Sequence, residues 1–143
     1  MEITRAGLAW QIPGLTHPDA PALDLLATIL GSGDSSVLWQ KIREQAGLVH
    51  TIDAQSWNPG SVGLFYISFP CEPGKRARAE RAIERELAAA ARRGFTPGQI
   101  RKAVRQIVVS EINTRKTMSG QAARLAAAEV VVGDLDYSRA YFA

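Results

Sequence analysis

The sequence predicts an α+β fold: a mainly antiparallel sheet with helices packed on one face. Three observations lead there. Apolar residues alternate with period two near residues 8–12 and on both sides of a turn at 58–60, the pattern of strands. The remaining apolar residues recur at helical spacing, giving the order strand, helix, helix, hairpin, helices. Composition is ordinary for a globular protein, 46% apolar and 22% charged over 143 residues, enough for one domain, 1–143, with a core of its own.

Each element follows from local chemistry. Leu8, Trp10 and Ile12 form one face of the first strand, which Pro13-Gly14 stops. Asp19 is the expected N-cap of the first helix, with Pro21 in its first turn, where a missing N–H costs nothing. Leu23, Leu25, Leu26, Ile29 and Leu30 cover most of that helix, which predicts a central position. Gly31 is expected to close it in the left-handed conformation. Asp34 or Ser35 is placed to cap a second helix that Gly47 ends. Leu48–Trp57 reads as a strand, Asn58-Pro59-Gly60 as a turn and Val62–Phe69 as the antiparallel partner. Phe65, Ile67 and Phe69 share one face of that partner, and Val62, Leu64 and Tyr66 the other. Two apolar faces predict an interior strand.

The second half is helical. Lys75–Arg93 has Ile83 and Leu87 as apolar anchors and Gly94 as its stop. Thr96, Pro97 and Gln99 spell a capping box for the next helix, with Phe95 and Ile100 at the hydrophobic-staple positions. Ile100, Val104, Ile107, Val108 and Ile112 then form one stripe. A break near Ser119-Gly120 precedes a helix ending at Gly133. From Asp136 a further helix runs to Ala143, so the chain is expected to end inside an element, as a domain truncated at its C-terminus would.

Several function classes lose support. Seventeen basic and 14 acidic residues are intermixed, giving a net charge of +3. The run Lys75, Arg76, Arg78, Arg81 and Arg85 is interrupted by Glu80 and Glu84 and lacks aromatic residues to stack on bases, so no nucleic-acid partner is expected. Cys71 is the only cysteine, which excludes an internal disulfide and a four-cysteine zinc site. No apolar run has the length of a membrane span, and the first five residues hold no signal-peptide core. Gly31-Ser32-Gly33 follows a helix and lacks the lysine of a phosphate loop, and Ser35-Ser36 lacks a partner base.

The ordered motifs Ile12-Pro13-Gly14, His17-Pro18-Asp19-Ala20-Pro21-Ala22-Leu23, Leu30-Gly31-Ser32-Gly33-Asp34-Ser35-Ser36-Val37-Leu38 and Ile42-Arg43-Glu44-Gln45-Ala46-Gly47-Leu48-Val49-His50 carry a resemblance. With Gly63-Leu64-Phe65, Gly120-Gln121-Ala122 and Gly133-Asp134-Leu135, they resemble the C-terminal-type, non-zinc domain of the insulinase/pitrilysin metallopeptidases, a family that includes mitochondrial-processing-peptidase-like proteins. The likeness spans about Leu8 to Tyr141 and implies that family's α/β roll. It also implies zinc carried by another domain or subunit of the parent endopeptidase, with an unfolded peptide as substrate.

The inverted zinc motif H-x-x-E-H needs two histidines on one helical face. This chain has only His17 and His50, so no catalytic residue and no metal ligand is assigned to it. The resemblance implies a substrate-contacting arginine and tyrosine seven residues apart. Arg43 fills the first position and His50 stands at the second. These two are the expected substrate-binding residues, against a structural reading in which Arg43 serves the helix C-terminus and His50 is a half-buried strand residue. The chain is thus expected to be a non-catalytic chamber wall and peptide-binding surface, inactive by itself. The alternative is a catalytically inactive assembly module of the same fold. An exposed sheet edge also offers a route to homo-oligomers.

Overall fold

The computed structural model describes residues 2–137 and 141. The helix expected beyond Tyr137 lies mostly outside these. Strand β1 spans Thr4–Pro13, helix α1 Ala20–Gly31, and a short π-type helix Trp39–Gln45. The hairpin is β2, Asp53–Trp57, and β3, Val62–Cys71. Helices α2 (Arg76–Arg93), α3 (Pro97–Arg115) and α4 (Met118–Ala127) follow, and α4 runs on as a wider turn, Ala128–Val132.

The sheet has the order β1-β3-β2, antiparallel throughout, with Trp10 opposite Phe65 and Ala54 opposite Ile67. Helices α1 and α2 and the π-type helix lie on the face formed by Phe65, Ile67, Phe69 and Cys71, all buried, and α3 packs on α1. Leu30, Leu38, Ile42 and Ile83 complete that core. The fold class is the expected α+β architecture.

Five local expectations are corrected. Gly31 is the buried last residue of α1, and its φ is not positive. Among the glycines, positive φ belongs to Gly33, Gly47, Gly94 and Gly133. Gly31 is required by contact: a Cβ there would stand 2.0 Å from the Ala54 backbone nitrogen. Neither Asp34 nor Ser35 caps the second helix, which has no side-chain cap. Asp19 also lacks a capping bond, and its N–H instead meets His17 Nδ1 at 3.2 Å. The strand expected from Leu48 begins only at Asp53. Residues 48–52 form an irregular segment that still buries Leu48, Val49 and Ile52. The break before α4 falls at Lys116-Thr117, where the Thr117 hydroxyl accepts the Gly120 N–H at 3.0 Å.

The interior placement of β3 and the α3 stripe are as expected, and two further findings concern what is covered. Strand β3 is central in the sheet, yet its second face is open: Val62 is 54% exposed and Leu64 39%. The stripe on α3 is open as well, with Ile100, Val104, Val108 and Ile112 exposed and Ile107 half-buried. Apolar periodicity identifies a face but not its neighbour. Helix α3 instead turns Ala103 inward. The Thr96 capping box is present as expected, with Gln99 N–H donating to Thr96 Oγ1 at 3.2 Å and Thr96 N–H donating to Gln99 Oε1 at 2.8 Å.

Candidate functional site

Arg43 and His50 come together at the corner where the π-type helix turns into the sheet. Gly47, at φ +60°, makes the reversal, and its carbonyl accepts from Lys75 Nζ at 3.3 Å. Lys75 in turn meets Glu72 Oε1 at 2.9 Å, and that hydrogen bond, with the lysine's charge, holds the Glu72 carboxyl below its usual range. Arg43 Nε donates to the His50 carbonyl at 2.7 Å, Nη1 pairs with Glu44, and the guanidinium stacks over Trp39, 4.3 Å from the ring centroid. Such a fork, fixed through two nitrogens and an aromatic face, loses little freedom when the remaining nitrogen binds a carbonyl.

His50 is tied through its backbone. Its N–H donates to the Pro70 carbonyl at 2.9 Å and its carbonyl holds Arg43. The imidazole is half-buried, with Nε2 covered and lacking a hydrogen-bond partner. The two residues singled out from sequence are therefore in contact, but through the main chain of His50.

Sequence reasoning missed the open face of the sheet. Gly7, Ala9, Gln11 and Pro13 of β1 share it with Val62, Leu64 and Tyr66 of β3 and with Gln55 and Trp57 of β2. Trp57 is 55% exposed. Polar groups at one end bond to one another: Ser68 Oγ donates to Asp53 at 2.8 Å, and Tyr66 donates to Gln55 at 2.7 Å. The signal was available, since Val62, Leu64 and Tyr66 alternate on a face with too few charges to be plainly solvated.

Zinc does not fit the residues present. Among the described residues, no three His, Cys, Asp or Glu side chains gather in a metal-binding group. His17 is exposed in the loop before α1. The Cys71 thiol is buried under the helices, and burial, with Glu80 nearby, pushes its pKa up, the reverse of what a thiolate ligand needs. Arg76, Arg78, Arg81 and Arg85 are exposed along α2, with Arg76 paired to Glu80 at 3.7 Å, as a solvated face requires. No helix among the described residues is long and apolar enough to cross a membrane.

Comparison with known proteins identifies the type of domain. The family profile described as the peptidase M16 inactive domain matches residues 1–107. An uncharacterized zinc protease of Streptomyces coelicolor is 32% identical over 103 residues, 71% of this chain and 22% of that protein. Another from Mycobacterium leprae is 33% identical over 100 residues, 70% and 22% of the respective lengths. The chain thus spans about a fifth of these curated relatives. Among solved structures, a peptidase M16 inactive domain from Pseudomonas fluorescens superposes with a TM-score of 0.86 at 20% identity, over 98% of this chain and 34% of that one. A chain of complex III2 from Candida albicans gives 0.76 at 12% identity, over 99% and 37%. At such identities the structural likeness establishes the fold.

Proposed function

Because the chain belongs to the peptidase M16 inactive-domain family, we propose that it is the non-catalytic wall domain of a zinc-dependent endopeptidase. In this reading the zinc site resides on a companion domain or subunit, which performs the hydrolysis, and the present chain contributes surface. The observation that carries it is the one-sided sheet. Among the described residues, α1, the π-type helix and α2 pack on one face, leaving the other broad, apolar and poor in charge around Trp57, Val62 and Leu64. A face of that kind suits burial against a companion or the lining of a peptide chamber better than contact with bulk water.

Arg43 and His50 are assigned to peptide contact within this reading. Arg43 offers its free Nη2 to a substrate carbonyl, while the His50 carbonyl fixes the guanidinium. A second reading, an assembly module without a proteolytic role, is favoured by the covered imidazole at the position where the resemblance implies a tyrosine. The same fold occurs in a chain of complex III2.

The test combines this chain with the zinc-bearing region of its parent protein and measures association and hydrolysis of an unfolded peptide. L64K on the open face is expected to weaken association about ten-fold, a loss of roughly 1.4 kcal/mol, with the chain still folded. R43Q is expected to leave association intact and lower kcat/KM about ten-fold. Full hydrolysis by the zinc-bearing region without this chain, or by the complex carrying R43Q, selects the assembly reading.

A further inference from the structure

The corner that holds Arg43 has one more working part. An arginine side chain with solvent on one side gives up considerable rotamer freedom when it is held in one pose. Two of the three contacts on Arg43 say little about direction. The Nε–H bond to the His50 carbonyl, 2.7 Å, fixes one point and lets the guanidinium plane swing about it. Glu44, which pairs with Nη1, is exposed, and an ion pair to an exposed neighbour restrains little.

The third contact is different in kind. Trp39 lies four residues before Arg43 on the same π-type helix, and the guanidinium carbon sits over its ring, 4.3 Å from the centroid. The indole is half-buried and packs against the hydrophobic core. Leu38 and Ile42, on either side of it in the helix, are buried outright and seat the helix itself. Stacking on that ring fixes what the His50 carbonyl leaves open, the plane of the guanidinium. Once the plane and one in-plane bond are set, the direction of every remaining N–H follows from the rigid fork. Among the described residues Nη2 has no hydrogen-bond partner, so its N–H groups are left for a ligand.

We propose that Trp39 is the positioning residue of this corner: its core-anchored ring sets the plane of Arg43 and so aims Nη2 at the carbonyl of an extended peptide. The proposal rests on the assignment of Arg43 to peptide contact. Trp39 itself touches no substrate and acts through Arg43. A carbonyl outside the plane that the stack dictates meets no N–H. The corner therefore selects by backbone orientation and tolerates varied side chains.

The test has a kinetic arm and a spectroscopic arm. W39M and W39L keep apolar contact with the core and remove the aromatic face, whereas W39F keeps a face. All are measured below their own Tm, and either of the first two serves if the other does not fold. With the zinc-bearing region of the parent protein, W39M is expected to lower kcat/KM about five-fold and W39F less than about two-fold. In the R43Q background W39M should cost less than about two-fold further, because a residue acting through Arg43 has nothing left to position. A residue that merely supports the fold costs the same in both backgrounds.

The spectroscopic arm uses the 143-residue chain by itself. The Arg43 Nε–H resonance, assigned by its absence from R43Q, should exchange slowly with solvent in the native sequence and in W39F. In W39M it should exchange about ten-fold faster. Slow exchange that survives in W39M overturns the proposal, as does an equal kinetic loss in the two backgrounds or a W39F no better than W39M. R43Q with undiminished kcat/KM strikes the peptide-contact reading instead, and Nε–H exchange still confirms or overturns the role of Trp39.

Discussion

At the scale of single residues, contact decides more than conformation. Gly31 was legible as a helix terminator, but its real constraint is the backbone of β2 beneath it. That constraint is non-local, and no pattern around residue 31 announces it. G31A is expected to cost about 3 kcal/mol, because the methyl group meets backbone that cannot rotate away. Urea denaturation of the variant checks this, and a loss below 1 kcal/mol would show that α1 lifts from Ala54 without strain. Arg43 and His50 were singled out through the family resemblance, which implies an arginine and a tyrosine seven residues apart. What the resemblance could not convey is that His50 meets Arg43 through its carbonyl, which any residue at position 50 would supply. The covered imidazole is a separate matter, set by the irregular segment 48–52 that sequence periodicity presented as strand.

At the scale of elements, the start of α3 was readable because its cap is local chemistry, whereas the caps expected at Asp19 and at Asp34 or Ser35 do not form. Thr96 and Gln99 satisfy two otherwise orphaned N–H groups reciprocally. With only one buried residue on α3, this cap is a large share of what holds that helix in place. T96A is expected to destabilise the protein by about 1 kcal/mol, with the loss read first as faster amide exchange at the start of α3. T96S should restore most of it. The hairpin was equally readable, since two alternating runs around Asn58-Pro59-Gly60 admit few other pairings. The burial of faces was less so. The stripe on α3 and the second face of β3 are both amphipathic signals, and amphipathicity is silent on whether the neighbour belongs to the same chain.

At the scale of the whole molecule, stability depends on joining segments far apart in sequence. The Tyr137 hydroxyl donates to the Leu15 carbonyl at 2.7 Å, and Tyr141 donates to Asp24. Burial, reinforced by the Asp24 hydrogen bond, raises the Tyr141 phenol above its usual value of 10. A phenol protonated in the native state but ionised in the unfolded chain stabilises fully below pH 10. That contribution fades as pH rises from 10 toward the native value. Urea midpoints measured from pH 9 to 11 should therefore fall more steeply for the native sequence than for Y141F. Parallel slopes would mean that Tyr141 is not docked on α1 in solution.

The register of the sheet has one more consequence. Thr4 pairs with Cys71 and Pro13 with Val62, so β1 touches nothing but β3 within the sheet. During synthesis β1 leaves the ribosome ahead of its partner and waits, unpaired with β3, while α1, the π-type helix and β2 emerge. It finds a partner only when β3 appears. Slow loop closure of this kind keeps a ten-residue strand exposed in the nascent chain. An interval of vulnerability for this sheet therefore falls before β3 emerges, when β1 is open to capture by any neighbouring edge.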